Sequence, residues 1–199
     1  MPSHRIVAAR TALLVYDMTN DRLAPGGKLE VPQGREVVVP RLLPLIECCR
    51  QTGVTVAFVR HLHDPAAGAS PDEEVYSPLG CEPSDWMIDK RSFNAFWGTD
   101  LEARLRKRGI DTLIITGCST AVGCETTARE AATRGFKVVF TADGTVTRPL
   151  ADIGWGAFSE DHVHRLTLTI LGHVFARIAY IGDVIREIAT DQVAEAPQG

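Results

Sequence analysis

An aspartate at position 17 is the first residue of the chain whose setting suggests chemistry. It directly follows the apolar run TALLVY at residues 11–16, which is typical of a buried strand. A carboxylate at the carboxyl end of such a strand is partly desolvated, and desolvation can tune its pKa for acid–base work. A turn or helix-capping role is the alternative, and the residues by themselves leave it open. Asp17 is therefore a candidate catalytic residue.

A second candidate, Lys90, follows the short apolar segment at residues 86–89. An ammonium group at this point would hold Asp17 ionised or stabilise a developing oxyanion. A solvated surface lysine is the alternative for any single lysine. We take Lys90 as a second candidate catalytic residue.

Aromatic residues that could contact a substrate follow Lys90 in the segment RSFNAFWGT. Phe96 and Trp97 are predicted to wall an apolar pocket together with Phe93, although such aromatic residues also serve as core. Asn20, in the segment MTND that contains Asp17's neighbours, is a further predicted substrate-binding residue.

The stretch from residue 111 to residue 136 is predicted to organise the site. An apolar, β-branched strand at residues 112–116 ends at Gly117, a tight loop covers residues 118–123, and a helix then runs to Gly135. The first amides and the dipole of that helix favour negative charge above the carboxyl edge of the sheet. Open α/β sheets place their sites at this edge. We therefore expect any chemistry within reach of residues 118–124.

The cysteines near this loop have different expected roles. Cys124, Thr127, Ala128 and Ala131 follow a helical i, i+3, i+4, i+7 spacing, so Cys124 is predicted to pack against the sheet. Gly123 lies one position earlier, about 100° around the helix, and should face the cleft. A thiol at position 123 would be the natural nucleophile, with a pKa lowered by the helix N-terminus, and this chain has none there.

The histidines do not predict a metal site. His61 and His63 share one face of an extended segment and precede Asp64, but a metal site needs three or more converging ligands and no good third ligand is evident. His164 and His173 are predicted to be helix-face residues. No metal and no cofactor are predicted.

Strands that alternate with helices along the whole chain predict an α/β fold. We expect a three-layer, doubly wound, Rossmann-like parallel sheet of about six strands with helices on both faces. A single domain is expected at residues 1–190, followed by a disordered tail at 191–199. The remaining predicted strands lie at residues 54–59, 137–143 and 174–181, and the last helix at residues 183–189.

Three earlier helices carry more detailed expectations. One begins near Pro40, buries Leu42, Leu45, Ile46 and Cys49, and ends at Gly53, with Pro44 tolerable only near its start. The second has the spacing of a capping box, with Thr99 as N-cap and Glu102 at N3. The third is capped by Ser159 and has Val163, Leu166 and Ile170 on one shared face.

Composition excludes little but sets the class of protein. The chain has 199 residues, 21 Lys and Arg that are dispersed, and a net charge of −4, which argues against nucleic acid or anionic membrane as the main partner. No run approaches the length of a membrane span and no signal peptide is evident, so a cytoplasmic protein is expected. Five cysteines without a disulfide-like pattern are expected to be reduced thiols.

Several motifs together resemble the isochorismatase-like hydrolases, also called the cysteine hydrolase superfamily, over roughly residues 10–185. They are ALLVYDMTND at 12–21, KRSFNAFWGTDLEARLRKRGIDTLIITG at 90–117, STAVGCETTARE at 119–130 and KVVFTAD at 137–143, followed by the helix from His164. The order and spacing of these motifs carry the resemblance more than any one of them. Thr19 and Arg22 depart from the usual Gln and Phe, which affects the expected substrate pocket rather than the fold.

The resemblance implies a catalytic triad of Asp, Lys and Cys. The first two correspond to Asp17 and Lys90, but the nucleophile position falls on Gly123, with Cys124 one residue too late. Isochorismatases proper, which hydrolyse a vinyl ether, are similar to this chain in carrying Gly-Cys there, followed by Thr-Thr-Ala. The family's non-proline cis peptide would fall near Cys118–Ser119, and the loop amides would form its oxyanion hole.

Three functions follow from these residues. The first is acid-assisted hydrolysis of a vinyl ether, with Asp17 as the acid and no covalent intermediate. The second is an amidase or related C–N hydrolase with Cys124 or Cys118 as a displaced nucleophile. The third is a non-catalytic member that binds a ligand or a partner. Each of the first two implies a small-molecule substrate.

The long segment at residues 61–84 is predicted to be a lid or an interface loop. It carries Val75, Tyr76 and Leu79, which would otherwise be exposed. Because similar proteins are commonly dimers or tetramers, we expect a homodimer or homotetramer with this loop at or near the interface.

Overall fold

A six-stranded parallel sheet forms the centre of the computed structural model, which describes residues 4–64 and 66–195. This confirms the predicted fold class. The strands are β1 Thr11–Tyr16, β2 Thr55–His61, β3 Trp86–Lys90, β4 Thr112–Cys118, β5 Lys137–Val146 and β6 Arg177–Ala179. The helices are α1 Asn20–Leu23, α2 Val39–Thr52, α3 Leu101–Lys107, α4 Glu125–Thr133, α5 Glu160–Val174 and α6 Ile181–Glu195.

The order of the strands places a crevice above the middle of the sheet. The order is β3-β2-β1-β4-β5-β6, so the connections turn in opposite directions from β1 and β4. Every residue of these two strands is buried, as their near-continuous apolar sequences predict. In open parallel sheets, ligands bind where the strand order reverses, beyond the carboxyl ends of the strands. Asp17 and Ser119 come directly after β1 and β4 at this point.

Helices cover both faces of the sheet. Helices α2 and α6 pack on one face, and α3, α4 and α5 pack on the other. The predicted inward face of α2 is confirmed, and Gly53 ends that helix with a left-handed φ of 78°. Pro44, however, lies inside α2 rather than near its start, since a π-helical turn at Gly34–Val38 leads directly into the helix. Its ring is exposed, so it avoids the core.

The predicted face of α5 is only partly correct. The hydroxyl of Ser159 caps the helix by accepting a hydrogen bond from the amide of His162, and Val163 is buried. The other two predicted residues are exposed, Leu166 at 61% and Ile170 at 39%. Thr167 and Leu171 are buried in their place, because the Thr167 hydroxyl donates to the Val163 carbonyl and needs no water.

Two predicted helix ends differ from the structure. Thr99 does not form the capping box, because its hydroxyl accepts from the amide of Leu101 and donates to the Ala95 carbonyl. The last helix, α6, is longer than predicted and extends five residues into the range 191–199 that was expected to be a tail. Buried Asp191 explains this extension, since its carboxylate accepts from Arg5 and from the Ala8 amide. The rest of the predicted tail, residues 196–199, lies outside the described residues.

The apolar residues of the 61–84 segment pack within their own chain. Leu79 is buried, and Val75 and Tyr76 pack against the core cluster that includes α2. Val75 forms an antiparallel bridge with Thr19, and the Tyr76 amide donates to the Met18 carbonyl at 2.9 Å. A subunit interface was predicted in this segment because these apolar residues would otherwise be exposed. Their packing within the chain removes that argument.

None of the helices in the described part of the chain is long and apolar enough to cross a membrane. The five cysteines are all free thiols.

Candidate active site

Asp17 and Lys90 form a buried ion pair above the carboxyl ends of β1 and β3. Lys90 Nζ donates to Asp17 Oδ2 at 3.0 Å, and the side chain of Lys90 is fully buried. The backbone of Asp17 adopts a left-handed φ of 46°, and its amide donates to the Val59 carbonyl at 2.7 Å. A non-glycine residue in this conformation is uncommon and is often found at functional sites. The structure thus brings together the two acid–base candidates from distant parts of the sequence.

The Asp17–Lys90 pair has a further charged neighbour, Arg22, on the side of Asp17. Burial lowers the pKa of Lys90, although the neighbouring Asp17 opposes that shift. Arg22 Nη2 lies 3.8 Å from Asp17 Oδ2, while Arg22 Nη1 binds the carboxylate of Asp21. The other oxygen of Asp17, Oδ1, is buried and has no hydrogen-bond partner among the described residues. Oδ1 is therefore the oxygen of Asp17 that retains an unused hydrogen-bonding capacity.

The turn after β4 faces Asp17 from the other side of the crevice. The peptide bond between Cys118 and Ser119 is cis, and a π-helical turn at Thr120–Cys124 follows it. Gly123 and Ser119 line the same cavity as Asp17. The backbone of Gly123, rather than a thiol, is what this turn presents at the position expected for a nucleophile.

The two candidate cysteines differ in position. Cys124 is fully buried in the core, with Sγ 3.9 Å from the Thr116 carbonyl, and burial raises the pKa of its thiol well above the ordinary value. Cys118 lines the cavity, with Sγ 3.3 Å from Ser119 Oγ, and burial also raises the pKa of its thiol. Cys118 is therefore the cysteine that a bound substrate could reach.

Two cavities meet around Asp17. They share Asp17, Arg22, Leu29 and Phe93. The first, of about 150 Å³, extends to Cys118, Ser119, Val122, Gly123 and Arg148. The second, of about 210 Å³, extends to Thr19, Asp21, His61, His63 and Glu73. A larger cavity of about 370 Å³ lies between the π-helical turn before α2 and the start of α5, and Asp17 does not line it.

The three predicted substrate-binding residues do not line either cavity at Asp17. Phe96 is buried in the core, where its ring lies 5.7 Å from that of Phe136. Trp97 is 64% exposed and lies outside the crevice. Asn20 holds the 61–84 segment, because its side chain donates to the Pro71 carbonyl. Phe93 is the aromatic residue of this segment that does line the cavities.

His61 and His63 lie at the second cavity, where Glu73 forms hydrogen bonds with His63. Glu73 Oε1 lies 2.7 Å from both the amide and Nδ1 of His63, and Oε2 accepts from Ser70. These hydrogen bonds lower the pKa of Glu73 to about 2. No group of three or more potential metal ligands is found in residues 4–64 and 66–195. Because Glu73, His63 and Ser70 all belong to the 61–84 segment, these hydrogen bonds hold the conformation of that segment beside the second cavity.

His164 lies on α5, and its ring forms hydrogen bonds with the turn after β4 and with β5. Nδ1 lies 2.9 Å from Thr120 Oγ1, and Nε2 lies 2.9 Å from the Ala142 carbonyl. Burial lowers the pKa of this imidazole. The ring therefore connects α5 to the turn that carries Ser119 and Gly123. His173 is exposed on the same helix.

Three residues of the site were missed from the sequence. Arg148 follows the end of β5, and its position beyond a strand's carboxyl end could have identified it. Tyr16 is a polar aromatic residue at the last position of an otherwise aliphatic strand, which was also a usable signal. Glu73 belongs to a segment without periodicity, so no pattern could have identified it.

Comparison with known proteins identifies relatives along most of the chain. Residues 11–176 match the model of the Isochorismatase domain family. The uncharacterized isochorismatase family protein YecD of Escherichia coli O157:H7 is 33% identical over 193 residues, covering 89% of this chain and 94% of that protein. Nicotinamidase 3 of Arabidopsis thaliana is 31% identical over 182 residues, covering 83% of this chain and 82% of that protein.

The fold also matches solved structures. A cysteine hydrolase from Pseudomonas syringae pv. phaseolicola 1448A superimposes with a TM-score of 0.90 at 30% identity. The match covers 95% of this chain and 97% of that one.

Proposed function

This chain belongs to the isochorismatase family of hydrolases, and from that premise we propose that it hydrolyses a small anionic vinyl ether by acid catalysis. One observation carries the proposal: a glycine, Gly123, lines the cavity of Asp17 at the position where the resemblance puts the nucleophile. Hydrolysis of a vinyl ether needs an acid and a water molecule rather than a covalent nucleophile. A site with a buried carboxylate and no thiol at position 123 suits that reaction.

The proposed reaction uses Asp17 as the acid and Lys90 as its proton source. Lys90 Nζ, 3.0 Å from Asp17 Oδ2, supplies a proton to the carboxylate. Asp17 transfers a proton to the methylene carbon of the enol ether, and the C=C electron pair forms the new C–H bond. Water then adds to the oxocarbenium carbon and returns a proton to Asp17. As the C–O bond of the resulting hemiketal breaks, its hydroxyl proton passes to the departing oxygen, which releases an alcohol and a keto acid. Asp17 returns the proton it gained from water to Lys90, which restores the ion pair.

The experiment that tests this proposal is direct. The purified protein is incubated with isochorismate as a representative vinyl ether, and pyruvate release is followed with lactate dehydrogenase and NADH. We expect turnover that survives prior treatment with iodoacetamide. Absence of turnover with isochorismate and with other enol-pyruvyl ethers, while a carboxamide is hydrolysed, would contradict the proposal.

Two arginines make the first cavity suited to an anionic substrate. Arg148 lines it together with Gly123. Arg22 lies on the opposite side, next to Asp17. The amides of the turn at residues 119–124 add partial positive charge. A substrate carboxylate placed between these groups would leave the enol carbon near Asp17.

Arg148→Ala is expected to raise KM by about tenfold or more with a smaller effect on kcat, since a hydrogen bond to a charged group is worth about 1.5–3 kcal/mol. Arg148→Lys should recover part of the loss, because it keeps the charge but not the bidentate geometry. Steady-state kinetics of pyruvate release measure both. Arg165→Ala, an exposed arginine on α5, is the matched control and should behave as wild type. An unchanged KM in Arg148→Ala would show that the carboxylate binds elsewhere.

An amidase is the second candidate, because Cys118 lines the same cavity as Asp17. Similarity to a protein named as a nicotinamidase supports this candidate. Against it, burial raises the pKa of the Cys118 thiol, whereas an effective cysteine nucleophile needs a lowered one.

Cysteine replacement separates the two candidates. Cys118→Ala and Cys124→Ala are each expected to keep most of the vinyl-ether activity, because neither thiol takes part in the acid-catalysed reaction. Thermal unfolding of each variant controls for folding, since both replacements remove buried sulfur. A stably folded but inactive Cys118→Ala or Cys124→Ala, with an adduct on the same cysteine in the parent, would establish the amidase.

A third candidate is a non-catalytic member of the family. The described site favours it least, because a paired carboxylate and ammonium are costly to bury and bring no advantage to a purely structural protein. Loss of all turnover across substrates, with ligand binding retained, would support it.

We also propose that the protein self-associates through α5 and the segment before it. The large apolar side chains exposed here are Leu150, Ile153, Trp155, Phe158, Leu166, Ile170 and Val174. Ile153 and Trp155 are 87% and 85% exposed, and large apolar side chains exposed near one another often mark an interaction surface. A second copy fits this surface, because a twofold axis would pair the apolar stripe of α5 with itself. An antiparallel pairing would also place Glu160 and Asp161 of one helix near His173 of the other.

Leu166→Glu/Ile170→Glu is expected to convert the assembly to a monomer, since four carboxylates would meet at the twofold axis of a dimer. Light scattering coupled to size exclusion at micromolar concentration measures the mass. Gln51→Glu, exposed on α2 at the other face of the sheet, is the control and should leave the mass unchanged. A wild-type protein that is already monomeric would overturn this proposal.

A further inference from the structure

Tyr16 and Gly123 are in close contact at the centre of the site. A Cβ atom built on Gly123 would lie 2.3 Å from Tyr16 Cε1, 3.0 Å from Cζ and 3.2 Å from Cδ1. Contacts between non-bonded carbon atoms are most favourable at about 3.5–4.0 Å. The ring of Tyr16 therefore occupies the space that the side chain of any larger residue at position 123 would need.

The ring of Tyr16 is held in this place from several sides. Its hydroxyl donates to the carbonyl of Phe93 and accepts from Thr127 Oγ1 at 3.2 Å. The side chain is fully buried, at the end of the central strand β1. The ring is close-packed and its hydroxyl makes two hydrogen bonds, so a rotation of the ring that made room for a Cβ atom would be costly.

The same ring contacts Lys90. Lys90 Nζ lies 4.7 Å from the centroid of the Tyr16 ring and 3.0 Å from Asp17 Oδ2. An ammonium group within about 6 Å of an aromatic centroid is attracted by the negative face of the ring. The ring therefore takes the place of solvent on one side of Lys90 and leaves Asp17 as its anionic partner.

We propose that Tyr16 is a positioning residue that seats Lys90 against Asp17 and, by filling the space at Gly123, restricts the site to chemistry without a thiol. The hydroxyl bond to Phe93 extends the effect, because Phe93 lines both cavities at Asp17. The steric part of this inference is independent of the proposed vinyl-ether reaction. Only the effect on turnover rests on that reaction.

The inference explains why a cysteine at position 123 alone would not create a thiol-dependent site. The added Cβ would meet the ring, so the side chain or the turn would have to move. Removal of the Tyr16 ring should open the space and place a thiol at position 123 beside Asp17 and Lys90. The two positions therefore have to change together.

A double-mutant cycle in thermal unfolding tests the steric part. Gly123→Ala is expected to lower Tm by about 5 °C or more, because overpacking forces strain into a close-packed core. In a Tyr16→Val background the same change should cost much less, since Cε1 is gone. Gly182→Ala is the control, because only the flexible end of Arg186 lies within 4 Å of its added Cβ. Equal costs of Gly123→Ala in the two backgrounds would overturn the steric part.

Tyr16→Val removes a large buried side chain and risks failing to fold. Tyr16→Leu retains more volume and also lacks Cε1, so it replaces Val in the cycle if needed. Iodoacetamide provides a second measurement, read as alkylation of residue 123 by peptide mass spectrometry. The Tyr16→Leu/Gly123→Cys protein should be alkylated at position 123 far faster than Cys124 in the same chain. Equally slow alkylation of the two cysteines would contradict the inference that removal of the Tyr16 ring exposes a thiol at position 123 to the site.

Titration of Lys90 tests the positioning part without any substrate. The Cε signal of Lys90, assigned by its loss in Lys90→Arg, is followed by NMR as the pH is raised. In Tyr16→Phe the ring remains, so the titration should stay close to wild type. In Tyr16→Leu the attraction of the ring for the ammonium is lost and Lys90 is held less firmly against Asp17, so the midpoint should fall below that of wild type. An identical midpoint in Tyr16→Leu and wild type would show that Tyr16 fills space but does not position Lys90.

Discussion

Replacement of Asp17 by asparagine is expected to lower kcat by about 10²- to 10⁴-fold, the usual worth of a general acid or base. Asparagine has the shape of aspartic acid, so the loss of activity reports the missing proton transfer rather than a change in packing. Its amide cannot deliver a proton to the enol carbon, and it no longer offers Lys90 an anionic partner. KM should change less than kcat, because Arg148 and the turn amides remain to hold the substrate.

The measurement needs a folding control, because the Asp17–Lys90 pair is buried. Thermal unfolding of Asp17→Asn should still show one cooperative transition. Asp72→Asn, an exposed carboxylate in the 61–84 segment, is the matched control and should retain wild-type kinetics. A folded Asp17→Asn protein with a tenth or more of the wild-type kcat would mean that another group supplies the proton.

Lys90→Met is expected to have the second large effect, on stability as well as on rate. It leaves the Asp17 carboxylate buried with only Arg22, at 3.8 Å, as a counter-charge. Loss of one partner from a buried ion pair typically costs about 3–5 kcal/mol. We therefore expect the urea midpoint of unfolding to fall clearly. Most of the activity should also be lost. Lys107→Met, an exposed lysine on α3, should change neither.

The pH dependence of the wild-type enzyme follows from the same lysine. Burial lowers the pKa of Lys90, so its ammonium loses its proton at a lower pH than an ordinary lysine, whose pKa is about 10.4. Activity that needs the protonated form is complete at lower pH and falls as the pH rises through the lowered pKa. The profile of kcat/KM should therefore have an alkaline limb below pH 10.4. A flat profile through that range would separate Lys90 from the proton transfer.

The fold was predictable from the sequence because local patterns specify it. The uniformly apolar run before Asp17 gave the central strand, and the small-residue spacing after Cys124 gave the face of α4 that packs on the sheet. Both patterns reflect burial on a large, regular surface. For α5 the same reasoning failed, since Thr167 satisfies its own hydroxyl and takes a buried position that an apolar residue was expected to fill.

The placement of the candidate site was predictable for a related reason. Asp17 follows β1, Lys90 is the last residue of β3, and Gly123 lies in the turn between β4 and α4. Parallel strands bring their carboxyl ends to one edge of the sheet. The walls of the cavity were not predictable. The chain after β3 is irregular, so no periodicity indicates where its aromatic rings lie. Phe93 lines the cavity although it is 62% exposed, Phe96 is buried in the core, and Trp97 lies outside.

The order of the strands has a consequence for how the protein loses activity. Asp17 extends from a strand with neighbours on both sides, whereas Lys90 ends β3, which lies at the edge of the sheet and, among the described residues, pairs with β2 alone. Edge elements often open locally at a free energy below that of global unfolding. Opening of β3 alone would separate the two charges while the rest of the sheet stayed intact. Mild urea should therefore inactivate the enzyme before the far-ultraviolet circular dichroism changes, and the amides of β3 should exchange with deuterium sooner than those of β1.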